Sequence, residues 1–153
     1  LPGNHDPLPA TRALFGPPDE IVVDGHRFLT FVDREEEANV PHRRAEALER
    51  FRAALAEGGS LPQVHVQHYV LWPEPPQSDY PYRYADADRL AAEAASSPAV
   101  RLVLSGHYHP GLAPRQRGET WFATAPAFCE APHPVWLYEL AGTALGWSSL
   151  DLA

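Results

Sequence analysis

The 153-residue sequence contains no lysine and no methionine, and it has a single cysteine, Cys129. One cysteine cannot form an internal disulfide bond, so nothing in the composition indicates an oxidising compartment, and we expect a cytoplasmic protein. No apolar run approaches the roughly 20 residues that a membrane-spanning helix needs, and no signal-peptide pattern opens the chain. Because the sequence also has no initiator methionine, we expect a front part to precede it.

Positive charge is scarce as well. The formal net charge is −8 at pH 7, and the longest basic run is Arg43-Arg44. Because binding to a nucleic-acid backbone depends on a cationic surface, that class of protein is disfavoured, whereas metal ions could still hold a small phosphorylated substrate. The chain is 44% hydrophobic and 21% charged, which is typical of a globular protein, and residues 1–153 are predicted to form a single domain.

Short β-rich runs recur along the chain. Two of them, within residues 20–33, flank Asp24-Gly25, a dipeptide that favours a type I′ turn and therefore a hairpin. Further strands are predicted at residues 63–68, 99–106, 119–125, 134–140 and 145–152. The last three suit antiparallel pairing.

Two helices separate the central strands. The first is predicted from Pro41 to a stop at Gly58-Gly59, and the second over residues 85–95 with Asp86 as its N-cap. The apolar face of the first helix comprises Leu48, Phe51 and Leu55. Short strands separated by helices predict an α/β fold with a partly parallel layer, followed by an antiparallel one.

Four of the eight histidines lie where metal ligands commonly lie. His68 follows one apolar strand, His107 and His109 follow another, and His5 stands beside Asn4 in the opening loop. The carboxyl ends of neighbouring parallel strands converge on one crevice, where open α/β sheets place their sites. Imidazole nitrogen with amide or carboxylate oxygen suits Zn, Mn or Fe. A lone histidine at a strand end is more often only hydrogen-bonded, so the paired histidines are the stronger indication.

The other four histidines have no such context. We expect His26 on the hairpin surface, His42 in the first turn of a helix, His65 in a buried strand and His133 in a proline-rich loop.

Three motifs occur in order along the chain: GNHD at residues 3–6, VQH at 66–68 and GHYH at 106–109. Together they resemble the calcineurin-like metallophosphoesterase superfamily over essentially the whole chain. The resemblance implies an αββα sandwich and a phosphomonoesterase or phosphodiesterase that uses a metal-activated hydroxide. Family members carry a D-x-H and then a G-D motif before the GNHD loop, whereas only two residues precede it here. We therefore expect this chain to be a C-terminal portion that lacks the N-terminal part of the sheet.

The resemblance also implies two metal ions, Mn, Fe or Zn, bridged by a carboxylate and a hydroxide. Carried over residue by residue, Asn4, His68 and His107 would bind one ion and His109 would bind the other. The bridging aspartate belongs to the absent front motifs, so this chain alone would hold one ion or none.

The resemblance assigns the proton chemistry to His5, which would contact the phosphate and protonate the leaving oxygen. Asp6 would orient that imidazole from behind, and the alternative is that Asp6 simply forms a turn before Pro7. No covalent intermediate is implied, so Cys129 is expected to be packed rather than catalytic.

Several alternatives stay open. The aromatic loop after His68 could stack on a nucleotide-like substrate or pack on itself, and packing is favoured; its rings are Tyr69, Trp72, Tyr80, Tyr82 and Tyr84. The chain could instead be a truncated, non-catalytic metal-binding or scaffold module, or a mononuclear metal hydrolase with Asp6 or Asp79 as its base. A partner chain or the absent N-terminal segment is expected to cover the apolar sheet edge.

Overall fold

The computed structural model describes residues 1–16, 19–57, 61–76 and 80–152, which form a mixed α/β fold. The α-helices of these residues are α1 (Leu8–Phe15), α2 (Ala45–Ala56) and α3 (Ala87–Ser96). The strands are β1 (Glu20–Val23), β2 (His26–Phe31), β3 (Arg34–Glu35), β4 (Pro41–His42), β5 (Gln63–Gln67), β6 (Val100–Ser105), β7 (Leu112–Arg117), β8 (Thr120–Thr124), β9 (Pro134–Ala141) and β10 (Ala144–Asp151). None of the described helices has both the length and the apolar character needed to span a bilayer.

Six strands form the central sheet in the order β1-β2-β5-β6-β8-β7. The four inner strands run parallel, and only the two edge strands are antiparallel to their neighbours. In this register Phe31 pairs with Gln67, and Val66 pairs with Leu104, so β2, β5 and β6 end at one edge of the sheet. The predicted partly parallel layer is confirmed.

Helices α2 and α3 pack on one face of this sheet. Phe51 of α2 and Leu90 of α3 share a buried cluster with Phe31, Val103 and Phe122 from the strands. Burial of each such side chain contributes about 1.5–3 kcal/mol relative to exposure. The predicted apolar face of the first helix is confirmed, because Phe51 is fully buried and Leu48 and Leu55 pack against the cluster.

Two hairpins flank this arrangement. Asp24 and Gly25 have φ angles of 46° and 71°, as the predicted type I′ turn between β1 and β2 requires. Strands β9 and β10 pair with each other and face the side of the sheet opposite the helices. A cavity of about 410 Å³ lies between the hairpin and the sheet, lined by Val64 and Leu102 on one side and Trp136 and Tyr138 on the other.

The predicted start of the first helix at Pro41 is wrong. Pro41 and His42 form strand β4, which pairs with β3, and α2 begins only at Ala45. His42 is therefore not in a helical turn. The reason is that the next side chain, Arg43, enters the core, and the backbone reaches Ala45 through an extended residue, Arg44. The predicted stop at residues 58–59 lies outside the described residues.

Other local expectations also need correction. Asp86 occupies the predicted N-cap position of α3 but makes no side-chain hydrogen bond to the helix backbone, and its carboxylate instead accepts one from Arg89 at 2.6 Å. Cys129 is exposed, not packed. Strand β8 pairs with β6 and β7 and not with the C-terminal hairpin. Helix α1 and strand β7 were not predicted, because neither presents a continuous apolar face.

A buried ion pair fixes the loop that follows β2. The side chains of Asp33 and Arg43 are 1% and 0% exposed, and Arg43 Nη2 lies 2.8 Å from Asp33 Oδ2. The same nitrogen donates to Gln67 Oε1 at 2.9 Å, and the Tyr84 hydroxyl donates to Asp33 Oδ2 at 2.6 Å. The guanidinium also lies over the Phe31 ring at 4.3 Å. Because a buried charge is tolerated only when paired, this network joins β2, β5 and the start of α2.

Replacing Arg43 with leucine should lower the free energy of unfolding by about 3–5 kcal/mol, because Asp33 would be left buried and unpaired. Urea titration at neutral pH measures this change. Arg52 is the matched control, since it lies in α2 and pairs with Glu93 at the surface. Arg52→Leu should leave the free energy of unfolding nearly unchanged, because water and salt screen an exposed pair. Equal losses in the two variants would contradict the structural role of the buried pair.

His65 is the predicted buried strand histidine, and the structure confirms it. The residue is 0% exposed, its Nε2 lies 2.9 Å from Gln63 Oε1, and its ring packs on Phe31 and Phe51. Burial, with a smaller contribution from the positive charge of Arg43, lowers the pKa of His65 to about 3. The imidazole is therefore neutral in the folded protein at any ordinary pH.

This depressed pKa predicts a stability that falls in acid. In the unfolded state His65 is protonated below about pH 6.5, whereas in the folded state it stays neutral down to about pH 3. The free energy of unfolding should fall by about 2 kcal/mol between pH 7 and pH 5 from this residue alone. His65→Gln should flatten the dependence measured by urea titration, whereas His26→Gln, on the hairpin, should not. An unchanged slope in His65→Gln would refute the assignment.

Candidate functional site

The site begins where β5 and β6 end side by side. The Gly106 N–H donates to the His68 carbonyl at 2.9 Å, which ties the two strand ends together. The rings of His68 and His107 are then 4.7 Å apart between centroids. The opening turn lies against them, with Asn4 Oδ1 3.1 Å from His68 Nε2. The structure thus brings Asn4, His68 and His107 together from three distant parts of the chain.

A glycine permits this approach of the opening turn. A Cβ atom on Gly3 would lie 2.9 Å from His68 Cε1, closer than a carbon contact allows. Asp6 closes the turn, because the Gly3 N–H donates to Asp6 Oδ2 at 2.7 Å. This contact agrees with the turn-forming alternative for Asp6. Within the described residues no hydrogen bond or ion pair joins Asp6 to His5, whose side chain is exposed.

His107 has an unusual backbone and a closed environment. Its φ is 67°, in the left-handed region that residues other than glycine rarely adopt and that clusters at functional sites. The ring is surrounded by Tyr69, Tyr80 and Tyr82, with centroids 4.9, 5.5 and 5.4 Å away. The side chain is 7% exposed, and its Nε2 makes no hydrogen bond with the described part of the chain. Glu35 Oε1 lies 3.9 Å from this Nε2 atom.

Both imidazoles at the site are held neutral. Burial lowers the pKa of His107 to about 4, and repulsion between its protonated form and those of His68, His109 and His5 adds to the effect. Burial likewise lowers the pKa of His68, partly offset by Asp6. A neutral imidazole keeps a nitrogen lone pair, which is the form that binds a metal ion.

His109 lies apart from these groups. Its Nδ1 is 2.6 Å from Glu130 Oε1, and both side chains are more than half exposed. The structure therefore places His109 in a surface hydrogen bond with Glu130, and no contact found among the described residues joins it to Asn4, His68 or His107.

Sequence reasoning missed Glu35. A cleft of about 330 Å³ runs between the opening turn and the segment after β2, and Glu35 lines it together with Asn4, Asp33 and Tyr69. The run DREEE, which follows β2 directly, was a usable signal. Because β2 is the parallel neighbour of β5, acidic residues just beyond it fall at the same edge as His68.

The donors stand in two pairs, Asn4 with His68 and Glu35 with His107. Two imidazole nitrogens and two oxygens suit Zn, Mn or Fe. Among the described residues, no three His, Cys, Asp or Glu side chains are already close enough to hold one ion. A shared ion therefore needs the amide oxygen of Asn4, or a rotation that joins the two pairs. Asp79, the other base considered for a mononuclear site, lies outside the described residues.

The aromatic loop divides between core and site. Tyr69 and Tyr84 are buried in the core, and Trp72 packs on Phe122. Tyr80 and Tyr82 contact His107 and stand at the rim of the site. Packing thus describes most of these rings, and the two rim tyrosines are placed to meet a ligand.

No protein-family model and no curated protein matches this chain. Its function has to be argued from the site itself.

Gly3→Ala should push the His68 imidazole by about 0.5 Å or more, because ordinary carbon contacts lie at roughly 3.5–4.0 Å. The hydrogen bond that Asn4 Oδ1 accepts from His68 Nε2 should weaken, which would appear as a changed imidazole nitrogen shift of His68 in NMR spectra. Gly146→Ala is the control, since a Cβ there meets only Glu139 at an ordinary 3.7 Å. An unperturbed His68 signal in Gly3→Ala would contradict the close approach.

Proposed function

We propose that this chain is the C-terminal portion of a metal-dependent phosphoester hydrolase of the metallophosphoesterase type, acting on small phosphomonoesters or phosphodiesters. The observation that supports it is the meeting of Asn4, His68 and His107 at the ends of parallel strands. The motifs that carry the resemblance are far apart in sequence, and a chance resemblance gives no reason for them to converge.

The residues have separate parts in this proposal. His68 and His107, both neutral and partly withdrawn from water, serve as nitrogen ligands, and the Asn4 amide serves as an oxygen ligand. A bound pair of Mn, Fe or Zn ions would supply the charge that neutralises phosphoryl oxygens and the hydroxide that attacks phosphorus. His5 is exposed beside them and donates the proton to the leaving oxygen. His109 would belong to the second ion after leaving Glu130.

The substrate side of the proposal is a small, nucleotide-like phosphoester. Tyr80 and Tyr82 offer ring faces at the rim of the site, where an organic group could stack. The net charge of −8 disfavours a polyanionic nucleic acid, whose backbone requires a basic surface.

The fold part of the proposal is an αββα sandwich completed by an upstream segment or a partner chain. Helices cover one face of the sheet and the β9–β10 hairpin covers part of the other. The edge strand β1 exposes Ile21, Val22 and Val23, a row of apolar residues that an isolated protein would normally protect. The segment that carries the D-x-H and G-D motifs is the occupant the proposal requires.

Hydrolysis of bis(p-nitrophenyl) phosphate tests the proposal directly. The chain should be compared with the same chain extended by the in-frame upstream sequence, each with Mn²⁺ or Zn²⁺. The extended protein should turn over the substrate in a metal-dependent way, and His5→Ala should lower kcat by about 10²–10⁴-fold through loss of the proton donor. His133→Ala, in the proline-rich loop, is the control and should keep full activity. An extended protein that is inactive with every metal would refute the enzyme.

A non-catalytic scaffold is the second candidate, and the exposed apolar surface favours it. Helix α1 buries none of its residues, and Leu14 and Phe15 are 77% and 76% exposed. Such a surface suits a protein partner. An upstream stop codon, together with metal-independent binding of a partner to this surface, would support the scaffold over the enzyme.

A further inference from the structure

Two buried polar atoms face each other at the site without a hydrogen bond. Glu35 Oε1 and His107 Nε2 are both inaccessible to water, and neither atom has a hydrogen-bond partner within the described residues, although the Tyr69 hydroxyl interacts with the Glu35 carboxylate. They lie 3.9 Å apart, too far for a direct hydrogen bond. Buried polar atoms are almost always satisfied, so two unsatisfied atoms this close together indicate a missing partner that both would contact.

The spacing of these atoms fits a shared metal ion. Two donors held about 2.1 Å from one Zn²⁺ lie roughly 3.0–4.2 Å apart, depending on the angle at the metal. The 3.9 Å between Glu35 Oε1 and His107 Nε2 falls in this range. The His68 and His107 rings are in contact, and Asn4 and Glu35 line one cleft.

We infer that Glu35 is a metal ligand, which completes a site of four donors with Asn4, His68 and His107 within this chain. This inference rests on the proposed metal site and adds to it a carboxylate that the family resemblance does not assign. The carboxylate would lower the net charge of a bound divalent ion. Glu35, His68 and His107 do not surround one point as they stand, so binding requires the side chains to rearrange.

The surroundings hold Glu35 in place for this role. Strand β3 follows two residues after β2, and the buried Asp33–Arg43 pair fixes the chain between them. Tyr69, which is fully packed, lies beside the Glu35 carboxylate. A ligand on such a supported segment loses little conformational freedom when it binds.

Calorimetry with Co²⁺ and Zn²⁺, and the visible absorption of the Co²⁺ complex, test the inference on the chain itself. Glu35→Gln should weaken binding by roughly 10–100-fold or more and change the Co²⁺ spectrum, because one oxygen ligand is lost. Glu35→Asp keeps the carboxylate and should bind better than Glu35→Gln. Glu36→Gln is the control, since Glu36 is half-exposed and pairs with Arg44.

The outcomes distinguish metal binding by Glu35 from the proposed hydrolase activity. Equal affinity and an identical spectrum in wild type and Glu35→Gln would show that Glu35 is not a metal ligand, even if the extended protein is active. No binding of either ion by the wild-type chain would overturn the inference as well. A Glu35-dependent site in a protein that hydrolyses no phosphoester would keep the ligand and refute the hydrolase. Circular dichroism of each variant shows that it is folded, so that weak binding is not unfolding.

Discussion

The buried pair of Asp33 and Arg43 is the constraint on which the site depends. The pair lies where β2 ends, and it reaches the neighbouring strand through Gln67 and the loop after it through Tyr84. A guanidinium makes these contacts at once because its donors form a rigid fork, which an ammonium group does not. The pair fixes the chain between β2 and β3, and Asp33 itself lines the cleft beside the opening turn.

Burial keeps three histidine side chains of the structure neutral. His65, His68 and His107 all have pKa values lowered chiefly by burial. The His65 imidazole lies in the core, where it packs at tilted and edge-on angles against Phe31 and Phe51. His68 and His107 lie at the edge of the sheet, where the lone pair of a neutral imidazole is available to bind a metal ion. One physical effect thus gives either packing or ligand chemistry, and position along the strand decides which.

Much of the parallel core could be predicted from sequence, because hydrophobic periodicity and turn chemistry are local signals. The Asp24-Gly25 hairpin and the apolar face of α2 are examples. The false helix start at Pro41 shows the limit, since a tertiary ion pair to Arg43 overrode a local preference. Glu35 was missed for a similar reason, because its importance comes from a neighbour 72 residues later, His107, and not from its own surroundings in sequence.

The left-handed backbone of His107 sets two demands on one position. Glycine adopts a φ of 67° more readily than any other residue, and placing it here would relieve a backbone strain of about 1–3 kcal/mol. Glycine, however, has no imidazole. It would also leave the space between Tyr69, Tyr80 and Tyr82 unfilled, so the strained backbone and the enclosed ring have opposing effects on stability.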